Sequence, residues 1–170
     1  KDALRLSKAL VDFPYSRSFN CFEDQAECYL GKQLGSGGFG SVYLVRVLFK
    51  KPSDADYSTS ELAVLNREQL LRNAIKHKKP LDVALKIVKA DYGWAYTLKE
   101  AFSMVSIPHH PGIVDLLHVE AHPTSNEVYY FMEFVQGVDM SRILMPSNTK
   151  PTELSVPELL QISYDTVDAL

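Results

Sequence analysis

No run of apolar residues in this chain approaches the roughly 18 to 20 needed to cross a bilayer, so no segment reads as a membrane span. An excess of positive charge is missing too: 18 Lys and Arg stand against 21 Asp and Glu, a formal net charge of −3. That balance leaves no electrostatic footprint for DNA, RNA or an anionic membrane, so neither a nucleic-acid nor a membrane partner is expected. Cysteine is scarce. Cys21 and Cys28 are the only two, too far apart for a CxxC motif and too few for a disulfide framework. Two thiols fit a reducing, intracellular compartment, and a cytoplasmic location is expected, with the nucleus open. The N-terminal KDALRLSKALVDFPYSRSF lacks the continuous apolar core of a secretory signal. What remains is 170 residues, 46% of them hydrophobic, which suffices for one globular domain or part of a larger one.

Residues 1–28 are mixed in character and read as a helical or loose N-terminal extension. From Tyr29 the pattern tightens. YLGKQLG and SVYLVRVLF read as two strands joined by a glycine segment, and VALKIVKA (Val83 to Ala90) alternates like a third. TLKEAFSMV places Leu98, Ala101, Phe102 and Val105 at helical spacing, and IPHHPG ends that helix. IVDLLHVEA and EVYYFMEFV read as strands around the turn signal HPTSN. GVDMSRILM looks like a short helix. A further helix begins at Ser155, where Ser155 and Glu158 have capping-box spacing, with Leu154 and Leu159 as the matching staple. Between Phe49 and Asp82 lies a stretch too long for an ordinary loop. Its DYSTSELAVLNREQLLRNAIKHKK puts Val64, Leu71 and Ile75 on one helical stripe. It is read as a surface insertion of about residues 50–80, either a solvated helix or a docking arm for a partner.

LGSGGFG, Leu34 to Gly40, packs four glycines into six residues ahead of a β-branched strand. Glycine admits φ > 0 and lets backbone N–H groups approach an anion with no Cβ between them, which suits phosphate. Three phosphate loops compete. The P-loop requires a lysine where Ser41 stands. The dinucleotide fingerprint requires a helix after the glycines, and SVYLVRV is strand-like. A β-hairpin lid of the form GxGxxGxV matches Gly35, Gly37, Gly40 and Val42. Such a lid needs fixed positive charge beside it, and VALK supplies Lys86. Glu100 is the only acid between Asp91 and Asp115 and is placed to hold that lysine. Coulomb attraction at 4 Å and an effective dielectric near 20 is on the order of 4 kcal/mol before desolvation.

With LGSGGFGSVYLV, VALK, Glu100, HHPGIV and VYYFMEFVQGVDM in this order, the chain from about Tyr29 to Leu170 resembles the N-terminal lobe of a eukaryotic protein kinase and the start of its C-terminal lobe. The resemblance implies an α+β fold: a five-stranded antiparallel sheet with a C-helix over residues 29–135, then the first helices of an α-helical lobe over 136–170. It implies that Leu34, Val42 and Ala84 wall the adenine, and that Gly35, Ser36, Gly37, Gly38, Phe39 and Gly40 cover the phosphates. Lys86 would contact the α- and β-phosphates and pair with Glu100. Met132 would be the gatekeeper, Glu133 and Val135 would offer backbone groups to adenine, Asp139 would lie near the ribose, and Met104 would be the spine residue one turn after Glu100.

ATP with Mg²⁺ is the implied cofactor and a protein hydroxyl, Ser or Thr, the implied acceptor. The family's HRD and DFG motifs would lie beyond Leu170, so this stretch alone is expected to lack the general base and the metal ligands and not to transfer phosphate. The alternative is a non-catalytic pseudokinase or scaffold that only binds nucleotide. HVEAH, with His118, Glu120 and His122, has the wrong order and strand-like flanks for a zinc hydrolase, and no metal site is assigned. His109 and His110 read as loop histidines, and Tyr129, Tyr130, Phe131 and Phe134 as strand core, since no basic residues interleave.

Overall fold

The computed structural model describes residues 8–38, 40–50, 74, 79–91, 93–137, 155, 157, 158, 161 and 162. Two compact units share the chain: Lys1–His109 with Asp115–Phe134, and His110–Val114 with Val135–Leu170.

In the first unit six strands form one antiparallel sheet: β1 (Arg17–Cys21), β2 (Ala26–Gly37), β3 (Gly40–Phe49), β4 (Leu81–Lys89), β5 (Leu116–His122) and β6 (Glu127–Glu133), in spatial order β1-β2-β3-β4-β6-β5. Helix α1 (Trp94–Ser106) connects β4 to β5. The sheet therefore has one strand more than the five expected, and the extra strand comes from the N-terminal extension. Phe19 and Cys21 alternate toward the core there, so β1 adds to the edge of β2 with Phe19 opposite Cys28.

Period-2 alternation decides which side chains go inside. Val45, Val47 and Phe49 of β3, Val83 and Leu85 of β4, and Tyr129 and Phe131 of β6 share one buried face with Cys21, Ala26, Cys28 and Leu30. The insertion contributes Ala74 to this core; its docking-arm reading otherwise rests on 51–73 and 75–78, outside the described residues. The opposite face carries Val128, Tyr130 and Leu116, and α1 packs there through Ala101, with Trp94, Leu98, Met104 and Val105 partly covered. Phe102, placed on the apolar stripe by its spacing, points outward and is 68% exposed. The helix turns its Trp94–Leu98–Ala101–Val105 side inward, and Phe102 falls just past that arc.

The sheet curls until its two edges meet. The β1–β2 turn runs through three consecutive left-handed residues, Phe22 (φ 53°), Glu23 (φ 53°) and Asp24 (φ 65°), a conformation that costs about 1–2 kcal/mol per residue. Burial of Phe22 offsets part of that cost. Its ring stacks on His118 of β5 at 4.5 Å and lies 4.9 Å from Phe131, while the Glu23 N–H donates to Glu120 Oε1 at 2.9 Å.

Beside this turn, Cys21 and Cys28 form a disulfide with Cα atoms 6.1 Å apart. This corrects the expectation of two separate thiols. Cys21 faces Ala26 and Cys28 faces Phe19, so the cysteines are diagonal neighbours on one face of the hairpin. The seven-residue separation that rules out CxxC becomes contact once the chain doubles back. Bridged, the cysteines no longer argue for a reducing compartment. Among the described residues no helix is long and apolar enough to cross a membrane.

Upstream of β1 the extension is anchored as well. Phe13 is buried with the Arg46 guanidinium 4.5 Å from its ring centroid, and Arg46 Nη1 donates to the Ala9 carbonyl at 2.9 Å. Arg46 in turn forks onto Asp82 with bonds of 2.6 and 2.7 Å. That contact raises the guanidinium pKa further, against the opposing effect of burial.

In the second unit, Gly112 N–H donates to His110 Nδ1 at 3.1 Å and Ile113 N–H to the His110 carbonyl at 3.0 Å. Residues 157, 158, 161 and 162 are helical, as expected after Ser155. Ser155 donates to Glu158 Oε2 from both its amide (2.8 Å) and its hydroxyl (2.7 Å), which lowers the Glu158 pKa. The expected helix in GVDMSRILM and the staple residues Leu154 and Leu159 lie outside the described residues.

Candidate functional site

The glycine segment forms the tip of the β2–β3 hairpin. Pairing continues through Gly35↔Val42, Ser36↔Ser41 and Gly37↔Gly40, so a strand does follow the glycines. Gln33 braces the arm, its amide donating to the Gly35 carbonyl at 3.3 Å and to Ser41 Oγ at 3.4 Å.

The glycines are not equivalent. Gly40 has φ +122°, and a Cβ there would meet the Ile87 carbonyl oxygen at 2.2 Å, so the fold itself demands glycine. Gly35, Gly37 and Gly38 have no left-handed φ and no atom within 4 Å of a Cβ. Among the described residues, nothing in the packing requires glycine at these three positions. Their bare backbone borders open space, the condition for N–H groups to close on an anion.

Beside the hairpin, register brings the other residues to one face. Val42 pairs with Lys86, Ala84 with Met132, and Lys86 with Tyr130, and paired residues project to the same side. Leu34 is half-buried where the β2–β3 register shifts, and Val42, Ala84 and Met132 are half-buried as well. Their partial exposure leaves an apolar surface next to the glycines and the lysine.

Lys86 Nζ lies 2.7 Å from Glu100 Oε1, joining β4 to α1. The lysine side chain is 19% exposed and the glutamate 51%. With that much water around the carboxylate, screening reduces the pair to about 0.2–1 kcal/mol, below the Coulomb value expected for an unscreened contact. Its consequence is directional: it holds an ammonium group at one place beside the hairpin.

The remaining expected site residues are not all brought together. Glu133 ends β6, and its N–H donates to the Asp115 carbonyl at 2.9 Å. The Asp115 carboxylate also lies 2.8 Å from His109 Nδ1 and accepts from it in the tautomer that carries a proton there. Val135 is exposed and belongs to the second compact unit. Phe39 and Asp139 lie outside the described residues.

Two arrangements escape sequence reasoning. Tyr130, read only as strand core, sends its hydroxyl to the Thr97 carbonyl of α1. The phenol's pKa is pushed up to about 12 by burial and then by the nearby Glu100 charge. Alternation along β6 places Tyr130 inside, but no local signal names Thr97 as its partner. The second is HVEAH, which lies on strand β5, where a zinc-hydrolase helix is excluded. Glu120 sits between His118 Nε2 (3.2 Å) and His122 Nε2 (3.5 Å). Burial alone would raise the Glu120 pKa. The His118 contact, the Glu23 amide and the charges of both histidines outweigh it, and the carboxyl lies below its ordinary range. Among the described residues no cluster of His, Cys, Asp and Glu is arranged to hold a metal ion.

The protein tyrosine and serine/threonine kinase family model matches residues 28–170. No curated protein matches the chain.

Proposed function

Because the chain belongs to the protein tyrosine and serine/threonine kinase family, we propose that it carries the ATP-binding part of a protein kinase that phosphorylates protein hydroxyls, Ser or Thr. The observation that carries this reading is the Lys86–Glu100 pair beside a hairpin whose Gly35, Gly37 and Gly38 have open space at the Cβ position. An anion under that hairpin would meet backbone N–H donors of Ser36, Gly37, Gly38 and Gly40 and the ammonium group that Glu100 holds. Lys86 contributes charge neutralisation at the α- and β-phosphates, and Glu100 orients it. Leu34, Val42, Ala84 and Met132 supply apolar contacts for adenine; nucleotide roles for Glu133, Val135 and Asp139 rest on the family resemblance alone. Bound with ATP, Mg²⁺ would supply neutralisation of the phosphate charge, and none of the residues above is assigned to hold it. A cytoplasmic location, with the nucleus open, belongs to this reading because both hold ATP and protein acceptors.

Phosphoryl transfer is almost entirely positioning and electrostatic stabilisation, so removing one fixed charge has a large effect on it. Lys86→Met keeps an unbranched side chain of similar length. In the complete protein it is expected to abolish nearly all transfer from labelled ATP and to weaken MgATP binding, with the unfolding midpoint nearly unchanged. Turnover close to wild type in that variant removes Lys86 from the phosphate site. Parallel assays on Ser, Thr and Tyr peptides separate the acceptor classes, and nucleotide binding with no transfer to any of them supports a scaffold instead.

A further inference from the structure

The Glu100–Lys86 contact joins α1 to the sheet, so it depends on where the helix sits, and the helix start carries no side-chain cap. Its N-cap is Gly93 with φ 91°, and the first turn contains no acidic residue. Only Thr97 and Ala101 of the helix are fully buried. Tyr130 reaches this uncapped end. It is 1% exposed, pairs with Lys86 in the β4–β6 register, and has Lys86 Nζ 5.8 Å from its ring centroid. Its hydroxyl donates to the Thr97 carbonyl, and Thr97 Oγ1 donates to the Gly93 carbonyl at 3.2 Å. One side chain thus touches both halves of the ion pair's support: the lysine through the ring, and the first turn of the glutamate's helix through the phenol.

We propose that Tyr130 is a positioning residue that pins the first turn of α1 so that Glu100 holds Lys86 in its phosphate-binding place. The proposal rests on the reading of Lys86 and Glu100 as the nucleotide site, but its mechanical part is independent of nucleotide. The phenol has a role that an apolar residue of the same shape lacks, since its hydroxyl donates to the Thr97 carbonyl.

Tyr130→Phe removes one oxygen and keeps the ring. Two measurements test it: amide hydrogen exchange in α1 without nucleotide, and MgATP affinity in a cycle with Glu100→Gln. Loss of one buried hydrogen bond is expected to speed exchange in the first turn of α1 by about five- to tenfold and to weaken MgATP binding by a similar factor. In the Glu100→Gln background, Tyr130→Phe is expected to cause no further loss of affinity, because the route from helix to lysine is already cut. Tyr130→para-aminophenylalanine restores a donor and is expected to recover both readouts; it also serves if the Phe variant fails to fold. Unchanged α1 exchange overturns the proposal. So does an equal loss of affinity with and without Glu100, since that marks a packing effect. A wild-type protein that does not bind MgATP, yet shows faster α1 exchange in Tyr130→Phe, defeats the nucleotide reading and leaves the pin standing.

Discussion

The backbone N–H of Glu23 donates to Glu120 across 2.9 Å, which ties the turn after the first edge strand to the opposite edge strand of the same sheet. Glu120 also faces His118 and His122 on its own strand, and Phe22 stacks on His118 next to it. The curl of the sheet thus ends in a charged clasp between elements about a hundred residues apart in sequence.

Acid is expected to loosen this clasp. The folded pKa of Glu120 lies below its unfolded value, about 4.3, so its stabilising effect is complete above that value and is lost as pH falls through the folded pKa. Glu120→Gln keeps an acceptor for Glu23 but cannot titrate. Its unfolding free energy is expected to fall less steeply than wild type below about pH 4.3, as read by denaturant melts across the acid range. Parallel acid profiles for the two proteins would show that the clasp does not depend on the charge.

At the disulfide, protein isolated without reductant and titrated with a thiol reagent under denaturing conditions is expected to show no free cysteine. Closing so short a loop is worth about 2–3 kcal/mol by chain entropy, so Cys21→Ala with Cys28→Ala is expected to lower the unfolding free energy by about that amount. Two reactive thiols in the untreated protein would mean the hairpin brings the cysteines together without joining them.

The glycines are expected to separate by readout. Gly40→Ala meets the Ile87 carbonyl and needs a left-handed backbone, so it should destabilise the fold by about 1–3 kcal/mol. Gly37→Ala meets nothing, and its melting temperature should stay near wild type while MgATP affinity drops. If Gly37→Ala binds nucleotide as well as wild type, the open space beside it is not a phosphate cradle.

Arg46→Lys preserves charge but not the fork on Asp82 or the planar contact with Phe13. A cost of about 1–2 kcal/mol is expected, roughly that of one charge-assisted hydrogen bond. The loss should appear locally, as faster proteolysis around residues 9–16, before the sheet opens. A uniform rise in exchange across β2 and β3 would instead give Arg46 a role in the sheet as a whole.

Much of this protein is legible along the chain because its signals are local. Alternation of apolar residues gave β3, β4, β5 and β6 their existence and approximate bounds, and the glycine spacing identified the hairpin tip. Helical spacing placed Glu100 on α1, facing the strand that carries Lys86. Each of these signals needs only a few consecutive residues, since strand and helix periods are properties of the backbone itself. The extension was harder to read. Three left-handed residues in the β1–β2 turn carry no glycine, so the hairpin announces itself weakly.

By itself the sequence determined the kind and order of the strands, the α1 segment, the family, and the residue types available to hold a phosphate. Tertiary structure alone decided that β1 joins the sheet, that Cys21 meets Cys28, that Phe102 faces out, that Glu120 takes the Glu23 amide, and that Tyr130 fastens α1 at Thr97. The physical reason is reach. Periodicity assigns a side chain to a face, but its partner across that face depends on strand order, register and curl, and these are settled only when the whole core closes.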